Sequence, residues 1–306
     1  MSVLAVYSDW LFMAASGVYV VAMLLHAAEY AATRTAQPVT VGVGHVEHDG
    51  EETVDTGASR PSRSERLGRM GVSLTVLGAL LHAASIVARG LAVERWPLGN
   101  LYEFTSAICL AAVVTWLVVL RRSPGLRGIA VYILLPVVLL MFLTGTVLYT
   151  QAAPVVPALR SYWLVIHVTT VSVASGLLFV PGVASILFLV RRSRWGAALA
   201  RLPSAETLDR IAYRTTIIAF PLYTFGVIAG GIWAEAAWGR FWGWDPKETV
   251  AFVAWVVYAA YLHARATAGW RTGRAAWINV LGLAVIIFNL FFVNMVVAGL
   301  HSYAGV

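Results

Sequence analysis

The sequence predicts an all-α polytopic membrane protein with about eight transmembrane helices and both termini outside the cytoplasm. Three observations lead there. Of 306 residues, 59% are hydrophobic and only 12% are charged, about half the charged share of a soluble domain. Apolar runs near twenty residues recur along the chain, the length a helix needs to cross a hydrocarbon core of about 30 Å. The arginines concentrate in alternate connections, as the positive-inside rule requires.

The first run, 9–32, opens on Asp9 with neither a basic leading segment nor a small-residue cleavage site, so it reads as a retained span and not a signal peptide. The connection 33–68 is rich in Gly, Thr, Ser and mixed charge with few aromatics, the composition of a flexible loop. His45 and His48 stand there among Glu47 and Asp49 and read as solvated residues, not as a metal site. The division of the chain is therefore 1–68, a first helix plus cytoplasmic loop, and 69–306, a seven-helix membrane domain. Its spans are read at 69–90, 101–120, 128–149, 163–190, 212–234, 249–268 and 276–299. The 163–190 run is long enough to tilt or to protrude from the bilayer.

Seventeen of the 22 basic residues fall in the connections following the first, third, fifth and seventh runs. The other side keeps only Arg89, Arg95, Arg160, Arg240 and Lys247. The net charge of +7 thus records topology and contact with anionic lipid, not nucleic-acid binding. The single cysteine, Cys109, lies inside the third run. One thiol makes neither an internal disulfide nor a CxxC pair, which excludes a thiol–disulfide reductase acting alone. No Gly-rich phosphate loop, acid–base dyad or activated nucleophile is recognisable.

The most informative segment is Trp238-Gly239-Arg240-Phe241-Trp242-Gly243-Trp244-Asp245-Pro246-Lys247-Glu248, on the outer side in this topology. Tryptophans suit the membrane boundary, but an interfacial belt needs neither Gly239 and Gly243 nor an Asp-Pro-Lys-Glu ending. Trp238, Trp242 and Trp244 suit stacking against a large planar ligand. His167 and His301 fall at the same outer level, and a pair of neutral imidazoles can supply both axial ligands of a heme iron. His263 lies about fifteen residues past Glu248 in the seventh run, roughly 22 Å deeper at 1.5 Å per residue. An ionisable residue at that depth is a functional candidate by default. Asp245, Lys247 and Glu248 are read as groups that orient the segment, cap the next helix or pair with heme propionates; for Glu248 a first-turn role favouring the helix dipole is at least as good.

The segment closely resembles the tryptophan-rich WWD segment of heme-handling proteins of cytochrome c assembly. Pro97-Leu98-Gly99-Asn100-Leu101-Tyr102-Glu103-Phe104 resembles the N-L-Y-E stretch of the CcsA (ResC) family of system II. From about residue 69 onward the chain is similar to that family. The resemblance implies heme b as cargo, His167 and His301 as outer ligands flanking the WWD segment, and His263 as an inner ligand within the membrane. It implies a CcsB (ResB)-like membrane partner, apocytochrome c as recipient with an extracytoplasmic thiol reductant, and residence in the bacterial cytoplasmic membrane. The function it implies is heme delivery across the membrane and covalent attachment to CxxCH of apocytochrome c. The chain would be the heme-presenting subunit of a holocytochrome c synthase. The alternative is a CcmC-like loader that passes heme to a carrier without attaching it. The second inner ligand is open between the partner, His26 and His82, with the partner preferred.

Overall fold

The computed structural model describes residues 2–32, 62–154, 161–196, 202–267, 270 and 273–301. Among them the structure is helical, without strands. The order is α1 (Val3–Ala32), α2 (Arg63–Ala92), α3 (Leu101–Arg122), a 3-10 segment (Pro124–Ile129), α4 (Ala130–Thr146), α5 (Tyr162–Arg192), α6 (Ala205–Trp238), α7 (Pro246–Ala266), α8 (Gly273–Leu290) and a short α9 (Phe292–Met295). Eight helical stretches are long and apolar enough to cross a membrane, α8 and α9 together forming the last. All eight sequence-derived spans are present. Residues 33–61, with His45 and His48, lie outside the described residues.

Helix ends differ from the apolar runs where polar caps extend them. α2 begins at Arg63, six residues before the run, because Ser62 Oγ accepts the Glu65 amide at 3.2 Å, a cap of about 1 kcal/mol. Ser204 caps α6 likewise by accepting from the Thr207 amide at 3.2 Å. Hydropathy marks where lipid contact begins, while capping marks where the hydrogen-bonded helix begins.

The helices α1 and α2 pack as an antiparallel pair. Ser8 Oγ donates to the Ser85 carbonyl at 3.0 Å and Ser85 Oγ to the Ser8 carbonyl at 2.9 Å. The α2 face carries Gly71 and Gly78 opposite His26 and Tyr19. Small residues of this kind let helix backbones approach where lipid supplies no hydrophobic drive for association. α5 is the central helix, buried along most of its length and packed on α3, α6 and α8. The main core joins Trp116, Ile133, Met141 and Val180 from α3, α4 and α5.

At one end of the bundle a charged cluster fixes the loop leading into α3. Asn100 Oδ1 accepts the Glu103 amide at 2.9 Å and caps α3. The buried Glu103 carboxylate accepts from Arg89 Nε at 2.8 Å, from Arg95 Nη1 and Nη2 at 2.8 and 3.0 Å, and from the Gly99 amide at 2.7 Å. Arg89 also donates to the Thr150 carbonyl and lies 3.5 Å from Asp9, which accepts from Tyr149 at 2.7 Å. Trp96 Nε1 donates to Thr169 Oγ1 at 2.8 Å, fastening the same loop to α5. This end gathers Asp9, Arg89, Glu103, Tyr149 and Thr169; the opposite end holds the Arg127–Glu29 and Arg265–Asp209 pairs at 2.5 and 2.9 Å.

Candidate functional site

At the Glu103 end, α6 stops and α7 starts within a few residues. Gly239 adopts φ 70° immediately after Trp238, and its amide bonds to the Glu235 carbonyl at 3.0 Å. A left-handed residue at this position terminates a helix and favours glycine. Asp245 then caps α7: its Oδ2 accepts the Lys247 amide at 3.2 Å, and Glu248 reaches back to the Asp245 amide at 3.1 Å. Such a reciprocal capping box, with Pro246 in the first turn, fixes the helix start. Glu248 Oε2 also accepts the Gly243 amide at 2.9 Å and lies 3.4 Å from Arg240. These bonds flank Trp244, whose φ of 58° is unfavourable for a side chain of that size. The segment's rare geometry is therefore held by Asp245 and Glu248.

The same cap places His301. Asp245 Oδ2 lies 2.7 Å from His301 Nδ1, and Oδ1 accepts the Leu300 amide at 2.7 Å. Burial alone would raise the Asp245 pKa, but the His301 hydrogen bond, the Leu300 amide and the Lys247 amide outweigh it and hold the carboxyl below its ordinary value. The imidazole packs edge-on against Trp238, centroids 5.1 Å apart at 76°.

His167 enters from α5, in its second turn. Its Nδ1 is 2.8 Å from the Gly226 carbonyl of α6. A carbonyl only accepts, so Nδ1 carries the proton and Nε2 the lone pair. In neutral His301 the Asp245 carboxylate enforces the same tautomer. Both imidazoles thus have the orientation that second-shell acceptors give to metal-ligating histidines. Trp233 of α6 packs against both, nearly parallel to His167 at 6.2 Å and 6.1 Å from His301, and lies 4.7 Å from Trp238.

These residues line one cavity. His167, His301, Trp233, Trp238, Trp242 and Lys247 meet apolar walls from Leu98, Phe104, Leu164, Val171, Val227 and Ile286. Leu98, Gly99 and Asn100 belong to the loop that Glu103 fixes. Two oriented imidazoles, indoles and a largely apolar wall, with Lys247, Glu248, Asn289 and Asn294 among its few polar groups, suit a flat, hydrophobic, iron-bearing ligand. No group of three or more metal-ligating side chains that could hold a lone ion occurs among the described residues.

The other candidate residues fall elsewhere. Asp245 stands behind His301 and does not line the cavity. Trp244 is 65% exposed, lies outside the cavity lining and packs edge-on against Trp242 and Phe252 at 5.9 and 6.2 Å. His263 is exposed in the last turn of α7, toward the opposite end of the bundle. His26 is buried against α2, with Nδ1 3.3 Å from Glu29, itself paired with Arg127. His82 is buried between Tyr19 and Ser106, its nitrogens 3.5 and 2.8 Å from their hydroxyls. Trp233 and the Gly226 carbonyl are site components that sequence reading missed. The available signal was Gly230-Gly231-Ile232-Trp233, a pair of glycines beside a tryptophan inside an apolar span.

Residues 98–301, from the cavity loop to His301, match the family model described as Cytochrome C assembly protein. The chain belongs to this family. Relatives named "Cytochrome c biogenesis protein CcsA" are 36% identical over 258 residues in Synechococcus sp. strain CC9605, covering 75% of this chain and 85% of the relative. The CcsA of Guillardia theta is 36% identical over 262 residues, covering 76% and 85%. The match establishes the CcsA resemblance and a role in cytochrome c biogenesis, which implies heme handling and apocytochrome c. A solved structure, "Cytochrome c Heme Lyase CcmF", superposes with a TM-score of 0.65 at 18% identity over 95% of this chain. The chain spans about half the length of that protein, 47%, and the likeness is one of fold.

Proposed function

We propose that the chain carries heme b across the bacterial cytoplasmic membrane and presents it, at the end bearing Trp238–Glu248, for covalent attachment to CxxCH of apocytochrome c. It would act as the heme-presenting subunit of a synthase formed with a CcsB (ResB)-like membrane partner. The observation that carries this reading is the pair His167 and His301 on one aromatic cavity, each with Nδ1 engaged by a protein acceptor. The arginines at the described ends of α3 and α5, Arg121, Arg122, Arg191 and Arg192, fall at the opposite end from the cavity, which supports, by the positive-inside rule, a cavity outside the cytoplasm.

In this reading His263 supplies an inner ligand and the partner the second one. Exposure of His263 on the bundle surface supports a site completed by another chain, whereas burial of His26 and His82 in hydrogen-bonded contacts supports structural roles for both. At the outer site His167 and His301 hold the iron, while Trp233, Trp238 and Trp242 pack on the macrocycle. An apocytochrome thiol, kept reduced by an extracytoplasmic thiol reductant, adds across each vinyl group. The sulfur–carbon bond forms on one vinyl carbon and the proton goes to the other, with no net oxidant required. The protein's contribution is positioning and control of the iron.

The test is expression of the chain with its partner and an apocytochrome in cells lacking other cytochrome c maturation. Thioether-linked heme on the recipient, lost in His167→Ala and His301→Ala, supports the synthase reading. Heme released to a carrier with no thioether formed would instead support the CcmC-like loader.

A further inference from the structure

Lys247 is the one lysine of the chain, and it lines the cavity that holds His167 and His301. Its Nζ donates to Asn294 Oδ1 at 2.6 Å and stands 5.8 Å from the centre of the Phe104 ring. Neither neighbour carries a negative charge. Among the described residues no carboxylate lies within ion-pair distance of the ammonium, although Asp245 and Glu248 are its neighbours in sequence. Both acids are committed elsewhere: Asp245 to His301 and the Leu300 amide, Glu248 to Arg240 and the amides of Gly243 and Asp245. On the same cavity wall, Asn289 donates to the Lys247 backbone carbonyl at 3.5 Å, and its own side-chain oxygen is buried without a partner.

A cation facing a largely apolar cavity without a directly paired carboxylate is costly in the empty site. An ammonium has three donors, and Asn294 takes one. The arrangement suits a ligand that brings its own carboxylate. Resting on the heme reading above, we propose that Lys247, held by Asn294, binds a propionate carboxylate of the heme and thereby fixes the macrocycle's rotation about the iron axis. Three charged groups of one segment then have three separate tasks: Asp245 orients the iron ligand, Glu248 holds the helix start, and Lys247 reads the cargo's carboxylate. Rotation matters because the vinyl groups sit on the edge away from the propionates. Anchoring one edge presents the other to the incoming thiols.

The test uses the full chain in detergent and two porphyrins, iron mesoporphyrin IX and its dimethyl ester. They share iron and macrocycle and differ in the carboxylate charge. Soret titration of wild type, Lys247→Met and Lys247→Arg gives an affinity ratio for each. The expected wild-type preference for the diacid is about tenfold or more, the size of a charge-assisted hydrogen bond. Lys247→Met removes the preference by weakening the diacid alone, and Lys247→Arg retains most of it. Equal weakening of both porphyrins by Lys247→Met, or an unchanged preference, overturns the assignment. Failure of wild type to bind either porphyrin overturns the heme reading itself, and the assignment with it.

Discussion

Asp245 Oδ2 lies 2.7 Å from His301 Nδ1 while the same side chain caps α7 by accepting the Lys247 amide. The start of a helix and the orientation of a candidate iron ligand are therefore set by one carboxylate. Asparagine keeps a capping oxygen but loses the charge that enforces the His301 tautomer. Asp245→Asn is expected to reduce outer-site heme affinity about ten- to a hundredfold, with the thermal midpoint of the empty protein falling only slightly. Heme titration alongside thermal unfolding separates the two effects.

The same carboxylate gives a pH prediction. Its pKa is held below the ordinary value, so its contribution to stability is fully present above the unfolded pKa of about 3.9. That contribution is lost as pH falls through the lower folded value. Heme retention and the α6–α7 cap are expected to be insensitive to Asp245 ionisation from neutrality to about pH 5 and to weaken only on stronger acidification. In Asp245→Asn the share of the acid limb that Asp245 contributes is lost, leaving the part that comes from protonation of the histidine ligands. Soret absorbance followed during acid titration of both proteins measures it.

A methyl group built on Gly230 of α6 would lie 2.6 Å from His167 Cε1 and 2.7 Å from Nδ1. Such contacts are too short to persist, so Gly230→Ala displaces the imidazole from the Gly226 carbonyl. The expected result is loss of one axial ligand, seen as a change from low-spin to high-spin heme bands. Overpacking costs about 1–3 kcal/mol, which thermal unfolding would register. Unchanged bands would show that His167 does not ligate iron from this rotamer.

Glu103 joins Arg89, Arg95 and the Gly99 amide in a buried cluster. Removing its charge leaves two arginines without their shared partner, a loss on the order of 3–5 kcal/mol for a buried pair. Glu103→Gln is expected to lower the thermal midpoint markedly and to loosen the loop bearing Leu98 and Asn100. Heme binding falls with it. Unfolding in detergent, compared with a surface control such as Glu65→Gln, checks this.

His263 and His26 make opposite predictions. His263 is exposed, so His263→Ala should leave folding intact and remove inner heme only from the complex with the partner. His26 is buried against Glu29 and Gly71, so His26→Ala should lower stability while inner heme remains. Heme content and melting of the two purified variants, with partner, distinguish them.

The eight spans were legible because lipid imposes one demand on every helix, a long apolar run with its hydrogen bonds satisfied internally. His167 and His301 were legible as candidates because topology places both at the level of the tryptophan segment, and the structure brings both to one cavity. What could not be read was which side of each helix they share. Trp233 packs against both histidines yet looks like one more apolar residue of α6. The acceptor for His167 is a backbone carbonyl, which leaves no trace in residue type. Trp244 shares the composition of its neighbours, but the left-handed backbone held by Glu248 turns it outward. Glu103 was recognisable as part of a motif, while its hub of two arginines depends on the end of α2 meeting the start of α3. Local pattern reports burial and caps; the pairing of distant groups comes from packing.

The most direct measurement is the visible spectrum of the purified chain with its partner, wild type against His167→Ala and His301→Ala. Bis-histidine bands in wild type, lost in each variant and partly restored by added imidazole, are the predicted result. Identical spectra in all three proteins would contradict the outer-site assignment and confine any bound heme to the His263 end of the membrane.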